Sequence, residues 1–177
     1  MRSSFTVFAA LVAASLVATP LVITASNALA TANVTVTTGG AGSPGAQAGD
    51  ITVAAPVAWS APTILTLQAF RSIAVNAELQ VNGAGGLAFT TNNGGTGGTL
   101  SFGPGGRATY ATAGGAGIPG QSLTIDGLGY GLLYSIADVQ SMAGNLAGNY
   151  ALARSIDGAG TAFAPVGDTG GASGHGS

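Results

Sequence analysis

The sequence contains no cysteine, no lysine and a single histidine, and only 6% of its residues are charged. Without cysteine the chain has no disulfides, so its stability has to come from burial and backbone hydrogen bonds. Four arginines stand against six acidic residues, and this weakly acidic balance lacks the basic surface that nucleic acid binding requires. We therefore expect no nucleic acid partner.

Side chains that catalyse reactions or bind metals are equally scarce. The one histidine, His175, lies near the C-terminus in a Gly/Ser segment, where it could not be held as a catalytic base. One histidine without cysteine provides no tetrahedral metal site. A glycosidase needs two carboxylates that converge on one bond, and the candidates are scattered along the chain: Asp50, Glu78, Asp126, Asp138, Asp157 and Asp168. We expect no enzyme activity, no cofactor and no metal.

Three of these carboxylates have structural interpretations. Asp126 and Asp157 each precede glycine in an Ile-Asp-Gly triplet, which predicts that the side chain bonds its own backbone at a turn. Asp138 follows Ser135 by three residues, which predicts a helix cap.

The first thirty residues have the features of a secretory signal peptide. Arg2 provides a positive charge, residues 5–17 are mostly apolar, and Ala28 and Ala30 flank Leu29 in a small-x-small cleavage site. We expect cleavage after Ala30. The alternative is an uncleaved membrane anchor, because residues 5–23 are nearly long enough to cross a bilayer.

Short runs in which two apolar residues flank a small or polar one recur through the rest of the chain. Because side chains alternate between the two faces of a strand, each run predicts a short strand with one buried face. The runs are Ile51-Thr52-Val53, Val57-Ala58-Trp59, Leu65-Thr66-Leu67, Ile73-Ala74-Val75, Leu79-Gln80-Val81, Leu87-Ala88-Phe89, Leu100-Ser101-Phe102 and Leu123-Thr124-Ile125.

The spacing of these runs predicts the architecture. Residues 51 and 73, like residues 65 and 87, are 22 positions apart, and residue 79 is followed by 100 and then by 123 at similar steps. A repeat of this length is typical of a coil that returns above itself. The spacing predicts an all-β chain folded as a right-handed parallel β-helix of about four coils, with Leu79, Leu100 and Leu123 in one interior column. The alternative is an antiparallel β-sandwich.

Helical spacing occurs once, where apolar residues stand at positions 136, 139, 143 and 146 after Ser135. This spacing predicts one short helix at 136–146. We divide the chain into a signal peptide (1–30), a Gly/Thr-rich lead-in (31–48), a β-solenoid domain (49–166) and a disordered Gly/Ser tail (167–177).

Several stretches resemble known bacterial proteins. The run from Gly49 to Trp59 and the run from Leu65 to Ile73 are similar to the first coils in the repeat region of filamentous-haemagglutinin-like surface proteins, which include exported adhesins with GLUG-type repeats. The run from Ser122 to Gly127, and the run from Leu146 to Leu152 that leads into Ile156-Asp157, are similar to the passage that precedes the GLUG repeats. The resemblance covers about residues 45–167.

This resemblance implies an exported, non-catalytic structural or adhesive segment, secreted or held at the cell surface on the outer membrane. Its expected partners are a host or cell-surface glycan or protein, and an outer-membrane transporter. Two alternatives remain open: a polysaccharide-active β-helix enzyme, and a truncated remnant of a larger adhesin without its own function.

Aromatic side chains could provide a contact surface on such a segment. Trp59 is in phase with Val57, and we expect both side chains to point inward. Phe70 and Tyr130 are the better candidates for surface contacts.

Overall fold

The computed structural model describes residues 7–9, 21–39, 49–161, 163 and 166. The predicted tail at 167–177, with Asp168 and His175, lies outside the described residues. In chain order the elements are β1 Val7–Ala9, α1 Leu21–Leu29, β2 Val34–Thr37, β3 Ile51–Val53, β4 Val57–Trp59, β5 Ile64–Gln68, β6 Ile73–Val75, β7 Glu78–Val81, β8 Gly86–Thr90, β9 Leu100–Phe102, β10 Arg107–Tyr110, β11 Thr112–Ala113, β12 Ala116–Gly117, β13 Ser122–Ile125, β14 Leu128–Leu133, α2 Ile136–Ser141, a 3₁₀ turn Met142–Gly144 and β15 Tyr150–Leu152.

Three stacks of parallel strands dominate the fold. Strands β2, β5, β8 and β13 pair side by side, as do β3, β6 and β9, and as do β4, β7 and β10. From β2 to β10, successive strands along the chain join the first, the second and the third stack in turn, and this order then repeats. The predicted all-β class is confirmed, and its strands pair mainly in parallel.

Alternate residues of the strands form one apolar core. In-register residues of neighbouring strands are buried above one another in columns: Val34, Leu65, Leu87 and Leu123; Val57 and Leu79; and Trp59, Val81 and Tyr110. Each fully buried large apolar side chain stabilises the fold by about 1.5–3 kcal/mol relative to an exposed one. Burial of these columns is therefore the main source of stability in a chain without disulfides.

The predicted column of Leu79, Leu100 and Leu123 is wrong. Leu79 pairs with Val57 and Ala108, Leu100 pairs with Ile73, and Leu123 pairs with Leu87. The three leucines thus lie in three different stacks. The steps from 51 to 73, 57 to 79 and 65 to 87 are correct.

Insertions between strands explain the difference. A loop at 91–99 separates β8 from β9, and Asn92 closes it by accepting from the Gly98 amide at 2.6 Å and donating to the Gly98 carbonyl at 3.1 Å. The antiparallel pair β11 and β12 separates β10 from β13. Because each insertion lengthens the connection between successive strands of a stack, a constant period assigns the later strands to the wrong stack.

After β13 the pairing pattern changes. Strands β13 and β14 form an antiparallel hairpin, in which Asp126 (φ 48°) and Gly127 (φ 79°) make the turn in left-handed backbone conformations. The chain then passes through α2, and β15 returns parallel to β14. This last unit extends the stack that contains β13.

The predicted helix is shorter than 136–146. The α-helix covers Ile136–Ser141 and the 3₁₀ turn ends at Gly144, while Leu146 is 64% exposed. None of the helical residues is buried, so the predicted apolar face has no core to pack on. The predicted cap is confirmed: Asp138 donates its amide to the Ser135 hydroxyl and accepts the Ser135 amide.

The N-terminal segment packs against the first strands of the stacks. Strand β1 pairs in parallel with β2, which lies within the predicted lead-in, and α1 contacts β4. Leu29 is fully buried, and its carbonyl accepts a hydrogen bond from the Thr63 hydroxyl. Within the described part of the chain, no helix has the length and apolar character needed to span a membrane.

Candidate functional site

Two carboxylates on the outside of the stacks are bound to arginines one layer further along: Arg71 lies just before β6, and Arg107 lies in β10. Asp50 accepts from Arg71 at 2.6 and 3.0 Å and from the Ser72 amide at 2.9 Å. Glu78 accepts from Arg107 at 2.6 Å and from the Thr109 hydroxyl at 2.8 Å. Both pairs join successive layers of strands, and they are exposed to solvent.

These contacts hold the carboxylates in their charged form. The hydrogen bond from Arg71 lowers the pKa of Asp50, and the hydrogen bonds from Arg107 and Thr109 lower the pKa of Glu78. A general acid of a glycosidase requires the opposite, a raised pKa. Asp50 and Glu78 therefore have the properties of structural ion pairs.

The other described carboxylates also have structural partners. Asp126 accepts from the amide of Thr91 at 2.7 Å and from its hydroxyl at 3.2 Å. The prediction that its side chain bonds its own backbone is wrong, because its left-handed turn directs the carboxylate to another strand connection. For Asp157 the same prediction is confirmed, since its Oδ1 accepts from the Ala159 amide at 2.9 Å. Asp138 caps α2.

The aromatic candidates occupy separate places. Phe70 is half-buried after β5 at a corner lined by glycine backbone: a Cβ added to Gly95 would lie 3.0 Å from its ring. Tyr130 lies half-buried on β14, packs against the core and pairs with Leu123. No ring contact joins these two side chains among the described residues.

The inward orientation predicted for Trp59 agrees with the structure. Trp59 is 4% exposed, and its indole N–H donates to the Thr63 carbonyl at 3.0 Å.

The residues of the predicted cleavage site are hydrogen-bonded within the fold. Ala28 is half-buried in the last turn of α1, and its carbonyl accepts from the amides of Thr31 and Ala32 at 3.1 and 2.9 Å. Ala30 is exposed, but Leu29 between the two alanines is fully buried. A peptidase acts on chain that is exposed and free of such bonds, so this segment is accessible only before the N-terminal residues pack.

A cleft of about 420 Å³ lies beside the last strand, between the start of α2 and the segment after β15. Its lining is mostly hydroxyl-bearing, charged and small side chains: Gly115, Tyr134, Ser135, Ile136, Ala137, Arg154, Ser155, Ile156, Asp157 and Thr161. Its volume lies within the range of small-molecule sites. We call it the Arg154 cleft.

The walls of the Arg154 cleft are held by the fold. The Tyr134 hydroxyl donates to Gln121 at 2.7 Å, and its ring lies against Gly117, where a Cβ would come within 2.5 Å. Ala153, fully buried, donates to the Leu133 carbonyl at 2.9 Å and accepts from the Tyr110 amide at 2.8 Å. Arg154 therefore leaves the backbone at a fixed position.

Arg154 differs from the other described arginines. Arg71 and Arg107 are each bound to a carboxylate, whereas no carboxylate within the described ranges lies at ion-pairing distance from Arg154. Its Nη1 donates to the Thr112 hydroxyl at 3.2 Å, and its Nε donates weakly to the Ser155 carbonyl at 3.4 Å. An exposed guanidinium that keeps free donors can bind an external acceptor.

Sequence reasoning missed this cleft. Its residues come from four separated segments. The pairing of β14 with β15 brings them together, and the spacing of apolar residues in the sequence does not predict this pairing. One signal was available in the sequence. The chain has only four arginines and no lysine, so an arginine without a carboxylate partner could have been sought as a candidate binding residue.

In the described part of the chain, no group of three His, Cys, Asp or Glu residues is arranged to hold a metal.

The chain matches no protein-family model, no curated protein and no solved structure.

Proposed function

We propose that this chain is an exported, non-catalytic structural or adhesive segment of a bacterial surface protein, built as a right-handed parallel β-helix of about four coils. The observation that carries the proposal is the cyclic order in which the strands enter three parallel stacks. A coil with three sides requires this order, whereas the β-sandwich considered from the sequence requires mainly antiparallel neighbours. Three complete circuits run from β2 to β10, and β13 begins a fourth.

A structural role agrees with the distribution of charged groups. The described carboxylates bind arginines, a threonine and backbone amides, so their hydrogen bonds stabilise the coils. A polysaccharide-active enzyme would instead place two carboxylates around a scissile bond. The adhesive part of the proposal rests on the resemblance to filamentous-haemagglutinin-like proteins.

Export rests on the order of charge, apolar run and Ala28-Leu29-Ala30 at the N-terminus. Because Leu29 is buried in the folded chain, cleavage after Ala30 has to precede packing of this segment. Intact-mass measurement of protein from culture supernatant and envelope fractions tests this. The expected N-terminus is Thr31, and a membrane-bound chain that begins at Met1 would support the anchor interpretation instead.

Adhesion is tested with beads coated with the exported chain and applied to host cells and to bacterial surfaces. Retention of coated beads, lost with a chain unfolded by substitution of Leu79, is the expected result. Periodate treatment of the surface separates a glycan partner from a protein partner. Release of new reducing ends from the same polysaccharides would favour the enzyme alternative, and no retention on any surface would leave the remnant interpretation.

A further inference from the structure

The Arg154 cleft has the chemistry of a ligand site that the coils themselves do not need. Residues that stabilise the stacks satisfy their charges within the fold, as Arg71 and Arg107 do. Arg154 is exposed, and its Nη2 donors have no acceptor among the described residues. Its charge is therefore available to a ligand in the cleft.

We propose that the Arg154 cleft binds a carboxylated sugar, with the sugar carboxylate on the Arg154 guanidinium. A planar guanidinium matches a carboxylate through two parallel hydrogen bonds. Asp157 lines the same cleft, and among the described residues only its Oδ1 accepts a hydrogen bond, from the Ala159 amide. Its other oxygen can accept a hydrogen bond from a sugar hydroxyl.

The charge of Asp157 selects the class of ligand. A doubly charged phosphate would be repelled by this carboxylate, whereas a singly charged uronate brings hydroxyl donors as well as one acceptor group. Ser135, Ser155 and Thr161 add hydroxyls to the lining, and Ile136 and Ile156 provide apolar contact for the C–H face of a ring. The cleft volume of about 420 Å³ accommodates a single sugar unit.

This inference names the ligand class for the proposed adhesive function and rests on it. Titration calorimetry of the full chain with galacturonate, oligogalacturonate and neutral galactose tests the site. Both acidic probes should bind, and galactose should bind at least about tenfold more weakly because it lacks the charge-assisted pair. Tighter binding of the oligomer would identify a glycan as the source, and equal binding would identify the single sugar; either supports the cleft.

Two variants of Arg154 and a matched control at Arg107 locate the binding. Arg154→Gln should weaken binding of galacturonate at least about tenfold. Arg154→Lys should weaken it less, because lysine keeps the positive charge but cannot form the two parallel hydrogen bonds of a guanidinium. Arg107→Gln removes the same charge at an exposed ion pair, and it should leave the affinity unchanged. Equal losses in Arg154→Gln and Arg107→Gln, equal affinity for galactose, or no binding of either acidic probe would overturn the site.

The proposed function can fail separately. Beads that adhere equally well when coated with Arg154→Gln would overturn the cleft as the adhesive site and leave adhesion standing. Binding of galacturonate without adhesion of beads would leave the cleft standing and overturn the adhesive function.

Discussion

Leu123 of β13 pairs in parallel register with Leu87 of β8, and both side chains are buried, with 7% and 1% of their surface exposed. This pairing completes a four-residue interior column, which begins at Val34 and continues through Leu65. The loop at 91–99 and the hairpin β11–β12 lie between the two strands in sequence. The column is therefore continuous in space although the number of residues between its successive members varies.

Engineered cysteines test this register. Ala88 and Thr124 are Cα partners in the same pair of strands, and strands about 4.8 Å apart allow disulfide geometry. Because the chain has no native cysteine, Ala88→Cys with Thr124→Cys should form one internal disulfide on mild oxidation. Loss of both free thiols, with the chain still monomeric by mass, is the measurement.

The control places the second cysteine 21 residues after the first, where a constant period near 22 would put it, in Ala88→Cys with Thr109→Cys. Thr109 pairs with Gln80 in another stack, so this pair should keep its thiols free. A disulfide in the control at the same rate would contradict the register.

The sequence predicted individual strands better than their partners. Period-two alternation identifies Ile51-Thr52-Val53 and Leu79-Gln80-Val81 because burial of one face is a local property. Pairing depends on the length of each connection, and the glycines of the loop at 91–99 do not show how many residues this loop adds before the next strand. The Arg154 cleft depends on Ala153 lying between Leu133 and Tyr110, which is a relationship between distant segments.

The glycine just before β10 is required by a close backbone approach. A Cβ at Gly106 would lie 1.7 Å from the Val75 carbonyl oxygen, and a backbone atom cannot move aside as a flexible side chain can. Gly106→Ala should lower the free energy of unfolding by about 1–3 kcal/mol or more. At Gly129 of β14 a Cβ would meet nothing within 4 Å, so Gly129→Ala should be within about 0.5 kcal/mol of wild type. Urea unfolding measures both, and equal midpoints would contradict the packing of β6 against Gly106.

Tyr110 predicts how stability responds to alkaline pH. Burial raises the pKa of its hydroxyl, which donates to the Ser122 carbonyl at 2.9 Å. As pH rises above the ordinary tyrosine pKa of about 10, the unfolded chain loses this proton while the folded chain keeps it, so the folded state loses stability. Tyr110→Phe should cost about 1 kcal/mol at pH 7 and reduce the further loss between pH 9 and about 11. Urea midpoints at both pH values measure this, and an unchanged alkaline loss would show that Tyr110 ionises freely.

The central strand β7 distinguishes an interior column from the outer face at adjacent residues. Leu79 is fully buried between Val57 and Ala108, whereas Gln80 on the same strand is exposed. Leu79→Asp would bury a carboxylate without a partner, and the cost of removing its hydration should destabilise the chain by several kcal/mol, at least about 3. Gln80→Asp introduces the same side chain in solvent and should cost about 1 kcal/mol or less, which reflects the low strand propensity of Asp. Thermal unfolding followed by far-ultraviolet circular dichroism measures both variants. Because the two substitutions introduce the same residue at neighbouring positions, similar melting temperatures would mean that the strands do not present one face to a common core, and the stacked columns would have to be abandoned.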